Sequence, residues 1–222
     1  MPLLAPSRRR VAALAGLALL TLPLAACGDD DGGGAGSAPA AVASIDALRG
    51  KTTAVKLDKG FTDALSSLGV TPGVVGTAKL VKGSLVFPIT GGNVTVFEPG
   101  EVSPYVIGQV QHEGSGLTLS AGGTTVRLSN LNVDPGVSRV YGDVAVNGRT
   151  AVSSAFLFQL DGRTLNPLKT TDSTATLQGT KVLVSPVAAK LLNSTYGLSG
   201  KKAIPGDFLV GVATITVALP QG

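Results

Sequence analysis

Apolar and polar residues alternate with a period of two through most of the chain beyond residue 84, and turn residues interrupt them at short intervals. Leu85, Phe87 and Ile89 mark one strand, and Val94 and Val96 begin the next. Val106, Val110 and His112 share one face of a third, with Tyr105, Ile107, Gln109 and Gln111 on the other. Successive side chains leave a pleated strand on opposite sides, so this pattern signals antiparallel strands with one buried face. After the turn Asp134-Pro135-Gly136, Val140, Val144 and Val146 mark another strand, and Phe156, Phe158 and Leu160 a further one. The stretch from Phe208 to Leu219 is apolar on both faces, which predicts a central strand.

Between Thr124 and Val133 the phase slips. Val126 and Leu128 agree with each other, whereas Leu131 and Val133 are displaced by one residue. A β-bulge at Ser129-Asn130 returns both pairs to the same face. Two segments follow a helical period instead. Asp58 can cap a helix with Phe61, Ala64, Leu65 and Leu68 on one stripe, stopped by Gly69. Ser185 caps a second, with Pro186 at its first position, Ala188, Leu191 and Leu192 on the apolar side, and Gly197 beyond its end. About ten strands and two short helices predict an all-β, antiparallel β-sandwich over residues 51–222, with no internal linker or repeat.

The N-terminal segment has a different grammar. Arg8-Arg9-Arg10 precede an uncharged apolar run of sixteen residues, Val11 to Ala26, that ends in Leu24-Ala25-Ala26-Cys27. The order is that of a secretory signal peptide over residues 1–26, and its end resembles the lipobox of bacterial lipoproteins. Small residues before the cysteine allow the peptidase to approach the backbone, and the Cys27 thiol is the nucleophile that accepts diacylglycerol. A transmembrane anchor is the poorer fit, since sixteen helical residues span only about 24 Å of a ~30 Å hydrocarbon core and Pro23 interrupts them. Residues 27–50, with Asp29-Asp30-Asp31 and glycine, alanine and proline runs, read as the lipidated cysteine and a flexible tether. These features place the protein on the extracytoplasmic face of a bacterial cell membrane, held by the lipid on Cys27.

The leader also changes the charge picture. Eighteen basic residues less the three in the leader leave fifteen against fourteen acids, a mature formal charge of +1. No basic patch of the kind that binds nucleic acid remains. Candidate catalytic chemistry is sparse as well. His112 is the lone histidine, no Gly-x-Ser-x-Gly elbow accompanies it, and His112-Glu113 lacks the second histidine of a zinc helix. Glu98 and Glu101 flank Pro99-Gly100 in a turn, where both are solvated and unsuited to acid–base work. The expectation is a non-catalytic protein without a metal site.

Four segments carry a family resemblance. Phe61 to Leu68, Phe87-Pro88-Ile89-Thr90-Gly91-Gly92, Gly108-Gln109-Val110-Gln111-His112-Glu113-Gly114 and Leu117-Thr118-Leu119-Ser120-Ala121-Gly122-Gly123 resemble the Htaa-domain family of secreted and surface haem-uptake proteins. The likeness covers about residues 55–219 and rests mostly on glycine turns and strand residues. It implies an all-β domain with two short helices. It also implies haem, which family members ligate through a tyrosine near the N-terminal helix supported by a histidine. His112 falls where that histidine would be, but Phe61-Thr62-Asp63-Ala64-Leu65 offers no ligand, and the chain's tyrosines are Tyr105, Tyr141 and Tyr196. His112 with Tyr196, which closes the second helix, is the candidate cofactor-binding pair. The functional expectation is therefore a monomeric surface lipoprotein whose sandwich binds haem or another small ligand. The alternative is a structural or adhesive envelope module that contacts a protein or wall polymer and takes no small ligand.

Overall fold

A computed structural model describes residues 38–219, so the expected signal peptide and Cys27 lie outside the described residues. The strands are β1 (Ala41–Ile45), β2 (Lys51–Leu57), β3 (Thr71–Gly76), β4 (Lys79–Val81), β5 (Ser84–Pro88), β6 (Gly91–Phe97) and β7 (Val106–Ala121). They continue as β8 (Thr124–Asp134), β9 (Arg139–Val146), β10 (Arg149–Asp161), β11 (Lys169–Thr170), β12 (Thr174–Val184) and β13 (Leu209–Ala218). Two helices, α1 (Lys59–Ser67) and α2 (Pro186–Tyr196), complete the domain. The domain is all-β and its strand pairings are antiparallel. The expected sandwich layers belong to one continuous sheet, in the order β1-β6-β7-β8-β9-β10-β12-β13-β2-β5-β4, with β11 beside β12 and β3 beside β7. The sheet curls until its inner face meets itself, bringing His112 of β7 against Thr53 of β2 and Phe87 of β5. β13 lies inside the sheet between β12 and β2, as its two apolar faces require.

The curl depends on a line of irregularities. Asn130 stands at φ 53°, and the register of β8 shifts between Ser129 and Asn132 against β9 and between His112 and Gly116 against β7. Asparagine tolerates this left-handed conformation because its short amide bonds locally. Its side-chain oxygen accepts from the Gly114 N–H at 3.1 Å, and its nitrogen donates to Asp143 at 2.9 Å. The other Asp143 oxygen accepts from the Ser154 N–H at 3.0 Å, and these bonds hold the Asp143 carboxyl below its ordinary range. One chain of polar contacts thus links β7, β8, β9 and β10 where the sheet bends. Val126, Leu128, Leu131 and Val133 are all buried, so the bulge restores the phase as the sequence predicts.

Two local readings need correction. The stretch assigned to the tether contains β1, which pairs with β6, and Ile45 and Leu48 are core residues. The folded domain therefore begins at β1 rather than at Lys51; its short Val-Ala-Ser-Ile pattern was masked by the small residues around it. In β10, the alternation of Phe156, Phe158 and Leu160 breaks at a register shift after Phe156. Leu157 is buried instead, and Phe156 packs outside it, 6.1 Å from Tyr141 with the Arg139 guanidinium 4.6 Å from its ring.

The helices start and stop where their caps dictate. Asp58 accepts from the Gly60 N–H at 2.8 Å, and Ser185 accepts from the Ala188 N–H at 3.0 Å. Gly197 ends α2 at φ 64°, the left-handed turn that glycine adopts without cost. β2 and β12 run toward the same end of the curled sheet, and each hands over to a helix there. Leu65 of α1 and Leu192 of α2 join Leu119, Val126 and Leu157 in a filled core at that end. β1 and β7 start from the opposite end, and β8, β10 and β13 return to it. Among the described residues, no helix is long and apolar enough to cross a membrane.

Candidate functional site

The end of the curled sheet away from the helices is not filled. It holds a cavity of about 230 Å³ whose walls come from strands on both sides of the curl, with Val110, Leu131, Val133, Val182, Ala213 and Val217 among them. Pro104, Tyr105, Pro135, Leu165 and Leu168, from the connections at that end, form the mouth. No carboxylate, lysine or arginine lines it, and His112 and Tyr105 are its titratable side chains. Such a surface attracts apolar matter and repels ions, because a charge placed against it would lose hydration without compensation.

His112 sits deep in this space, only 1% exposed. Its Nε2 lies 2.8 Å from Thr53 Oγ1 and its Nδ1 3.3 Å from the Leu131 carbonyl oxygen. A carbonyl only accepts, so the bonding pattern assigns the proton to Nδ1 and makes Nε2 the acceptor of the Thr53 hydroxyl. Burial pushes the imidazole down to about 4, against the pull of the Leu131 and Val110 backbone groups, and the ring is uncharged at neutral pH. Phe87 meets it edge-on at 6.2 Å, and Ser115 Oγ donates to the His112 carbonyl at 3.0 Å. The histidine therefore braces β7 against β2 across the interior, at the place where the open cavity gives way to the filled core.

The structure does not bring His112 and Tyr196 together. Tyr196 donates its hydroxyl to the Leu119 carbonyl at 2.6 Å. Leu119 lies beyond the bulge on β7, roughly 20 Å along the strand from His112 at ~3.3 Å per residue. The reason is directional: α2 follows β12, which runs away from the cavity. Tyr105 shares the cavity lining with His112 instead, but at the mouth rather than beside the ring. Alternation put it on the opposite face, but it precedes the first paired residue of β7 and lines the mouth. Thr53 is the partner the sequence reading missed. Its signal was a hydroxyl residue in phase with the buried Val55.

A haem placed here would need an iron ligand. His112 Nε2 is available only if Thr53 releases it, and Tyr105 supplies a phenol oxygen at the mouth. The cavity is also smaller than the ~300–1,000 Å³ common for ligand pockets, so a planar macrocycle would have to part the walls. The geometry as it stands suits a slender apolar group better than a haem.

No protein-family model matches the sequence, and no curated protein matches it either. Solved structures resemble it in fold. The C-terminal domain of HtaA from Corynebacterium glutamicum superposes with a TM-score of 0.55 at 11% identity, covering 78% of this chain and 99% of that one. A domain-swapped dimer of a variant of that domain gives 0.45 at 9% identity over 72% and 91% of the two chains. Heme binding protein HtaB from the same organism gives 0.43 at 13% identity over 79% and 96%. The match to the HtaA domain establishes a shared fold, in agreement with the family resemblance of the sequence.

Proposed function

We propose that the chain is an exported, lipid-anchored and non-catalytic binding protein that holds a small apolar ligand in the cavity above His112. The observation that carries this reading is the cavity itself: an open, uncharged space inside the curl of the sheet, floored by one satisfied polar pair. Protein interiors are normally filled to crystal density, so walls from both sides of the curl left apart indicate room kept for a guest. Haem is the ligand that the Htaa resemblance implies. Non-catalytic action fits the chemistry present, since the single histidine is buried with both nitrogens engaged and no carboxylate lines the cavity to orient or charge it.

Titration of residues 38–222 with a naphthylamine dye, and separately with hemin, tests the proposal. Saturable dye fluorescence at micromolar protein supports an apolar site. A saturable Soret shift that is lost in His112→Ala identifies haem as a ligand of this cavity. Absence of both signals rejects the binding reading. It would favour the envelope-module alternative, which one surface feature supports: β4, an edge strand of the sheet, exposes Leu80 and Val81.

A further inference from the structure

We infer that the cavity takes an acyl chain of a membrane lipid, and that its mouth faces the bilayer to which the protein is tethered. This inference rests on the proposed lipid anchor and apolar site, and it adds the ligand class and the orientation. Three independent features lead to it.

The first is where the chain joins the domain. β1 begins at Ala41, paired with Phe97, and Ala43 of the same strand lines the cavity. The N-terminal end of the domain is thus at the mouth, not at the helices. Cys27 precedes Ala38 by eleven residues. Whatever their conformation, those residues span at most about 40 Å. A lipid on Cys27 therefore keeps the mouth end within reach of the bilayer surface.

The second is the rim. Val42, Ile107 and Val137 are 51%, 40% and 54% exposed, and all three stand at this end, on β1, the start of β7 and the β8–β9 turn. Tyr105 joins them at the mouth. Exposed aliphatic side chains with a tyrosine suit the membrane interface, where an apolar body and a polar tip are both accommodated.

The third is size and chemistry. A cavity of ~150 Å³ lined by aliphatic side chains accepts benzene, and by that scale the space here holds about nine carbons. That corresponds to the outer part of one acyl chain. The headgroup would remain outside, consistent with walls that carry no lysine or arginine to hold a phosphate.

The test has two arms. In the first, residues 38–222 are incubated with phosphatidylglycerol–phosphatidylethanolamine vesicles, separated from them, and examined by native mass spectrometry. One phospholipid per protein is expected, and its loss in Ala213→Phe, which fills the cavity from β13. Ala175→Phe fills it from β12 and serves if the first variant does not fold. Lipid retained by a folded, filled variant overturns the assignment. Dye bound without lipid overturns the acyl ligand while leaving the apolar site standing; neither bound overturns both. In the second arm, the acylated chain is reconstituted in vesicles containing brominated acyl chains. The protein has no tryptophan, so Val137→Trp at the rim and Val187→Trp on α2 each give a single reporter. Bromine should quench the first and spare the second. Equal quenching, or quenching of Val187→Trp alone, overturns the orientation.

Discussion

Lowering the pH from 7 to 4 should destabilise the domain by about 3 kcal/mol through His112 alone. In the unfolded chain an imidazole titrates near 6.5, while burial in the folded domain pushes His112 down to about 4. Above pH 6.5 both states are neutral, and the group adds no pH dependence. Between 6.5 and 4 the unfolded chain takes up a proton that the folded one refuses, so stability falls by ~1.4 kcal/mol per pH unit. The loss levels off once pH drops below about 4 and the folded state is protonated too. For a domain of this length the melting temperature should fall by roughly 6–12 °C from this source. Urea unfolding at several pH values, followed by far-ultraviolet circular dichroism, measures the slope. His112→Gln supplies the control: its amide can still donate to the Leu131 carbonyl and accept from Thr53, but it does not titrate. The variant should be less stable at pH 7 and should lose the His112 part of the slope. Surface carboxylates affect both proteins alike, so the difference between them isolates the histidine. An identical slope in the two proteins would refute the buried, neutral assignment.

Three further outcomes follow from particular contacts. Deleting Asn130 removes the bulge and turns either Val126 and Leu128 or Leu131 and Val133 toward solvent, a cost of roughly 3–6 kcal/mol for two aliphatic side chains; a melting temperature within a few degrees of wild type would contradict it. Tyr196→Phe should cost about 1 kcal/mol for the lost bond to Leu119 and leave dye and hemin titrations unchanged, because the ring lies at the helix end; altered ligand affinity would count against that placement. Cys27→Ser should leave an unacylated precursor, detected by intact mass and by loss of partitioning into the detergent phase; normal processing would argue against the lipid anchor.

Local rules make much of the fold legible in the sequence. Both helices begin at the cap residues read from the sequence, because an Asp or Ser that can satisfy free backbone N–H groups is a nearby cause with a nearby effect. The bulge at Asn130 was visible because a phase slip cannot be absorbed by a strand without exposing apolar residues. The second slip, after Phe156, was not visible, since Phe156-Leu157-Phe158 is apolar throughout and either phase satisfies it. β1 was hidden for a related reason: Ala-Val-Ala-Ser-Ile carries little burial signal, and only its pairing with β6 makes Ile45 a core residue.

The candidate site divides along the same line. His112 was legible as a polar residue on a buried face, but its partner was not, because Thr53 is fifty-nine positions away and meets it only after the sheet has curled. Tyr196 was paired with His112 because it closes the second helix, and strand direction separates them. By itself the sequence determined what depends on neighbours a few positions apart: strand and helix period, caps, the bulge and the charge balance of the mature chain. The tertiary structure decided what depends on the closing of the sheet. The curl selected which faces meet, left one end unfilled while the helices closed the other, and set the start of β1 beside the mouth. Those outcomes follow from strand order and direction, which no short-range pattern of side chains encodes.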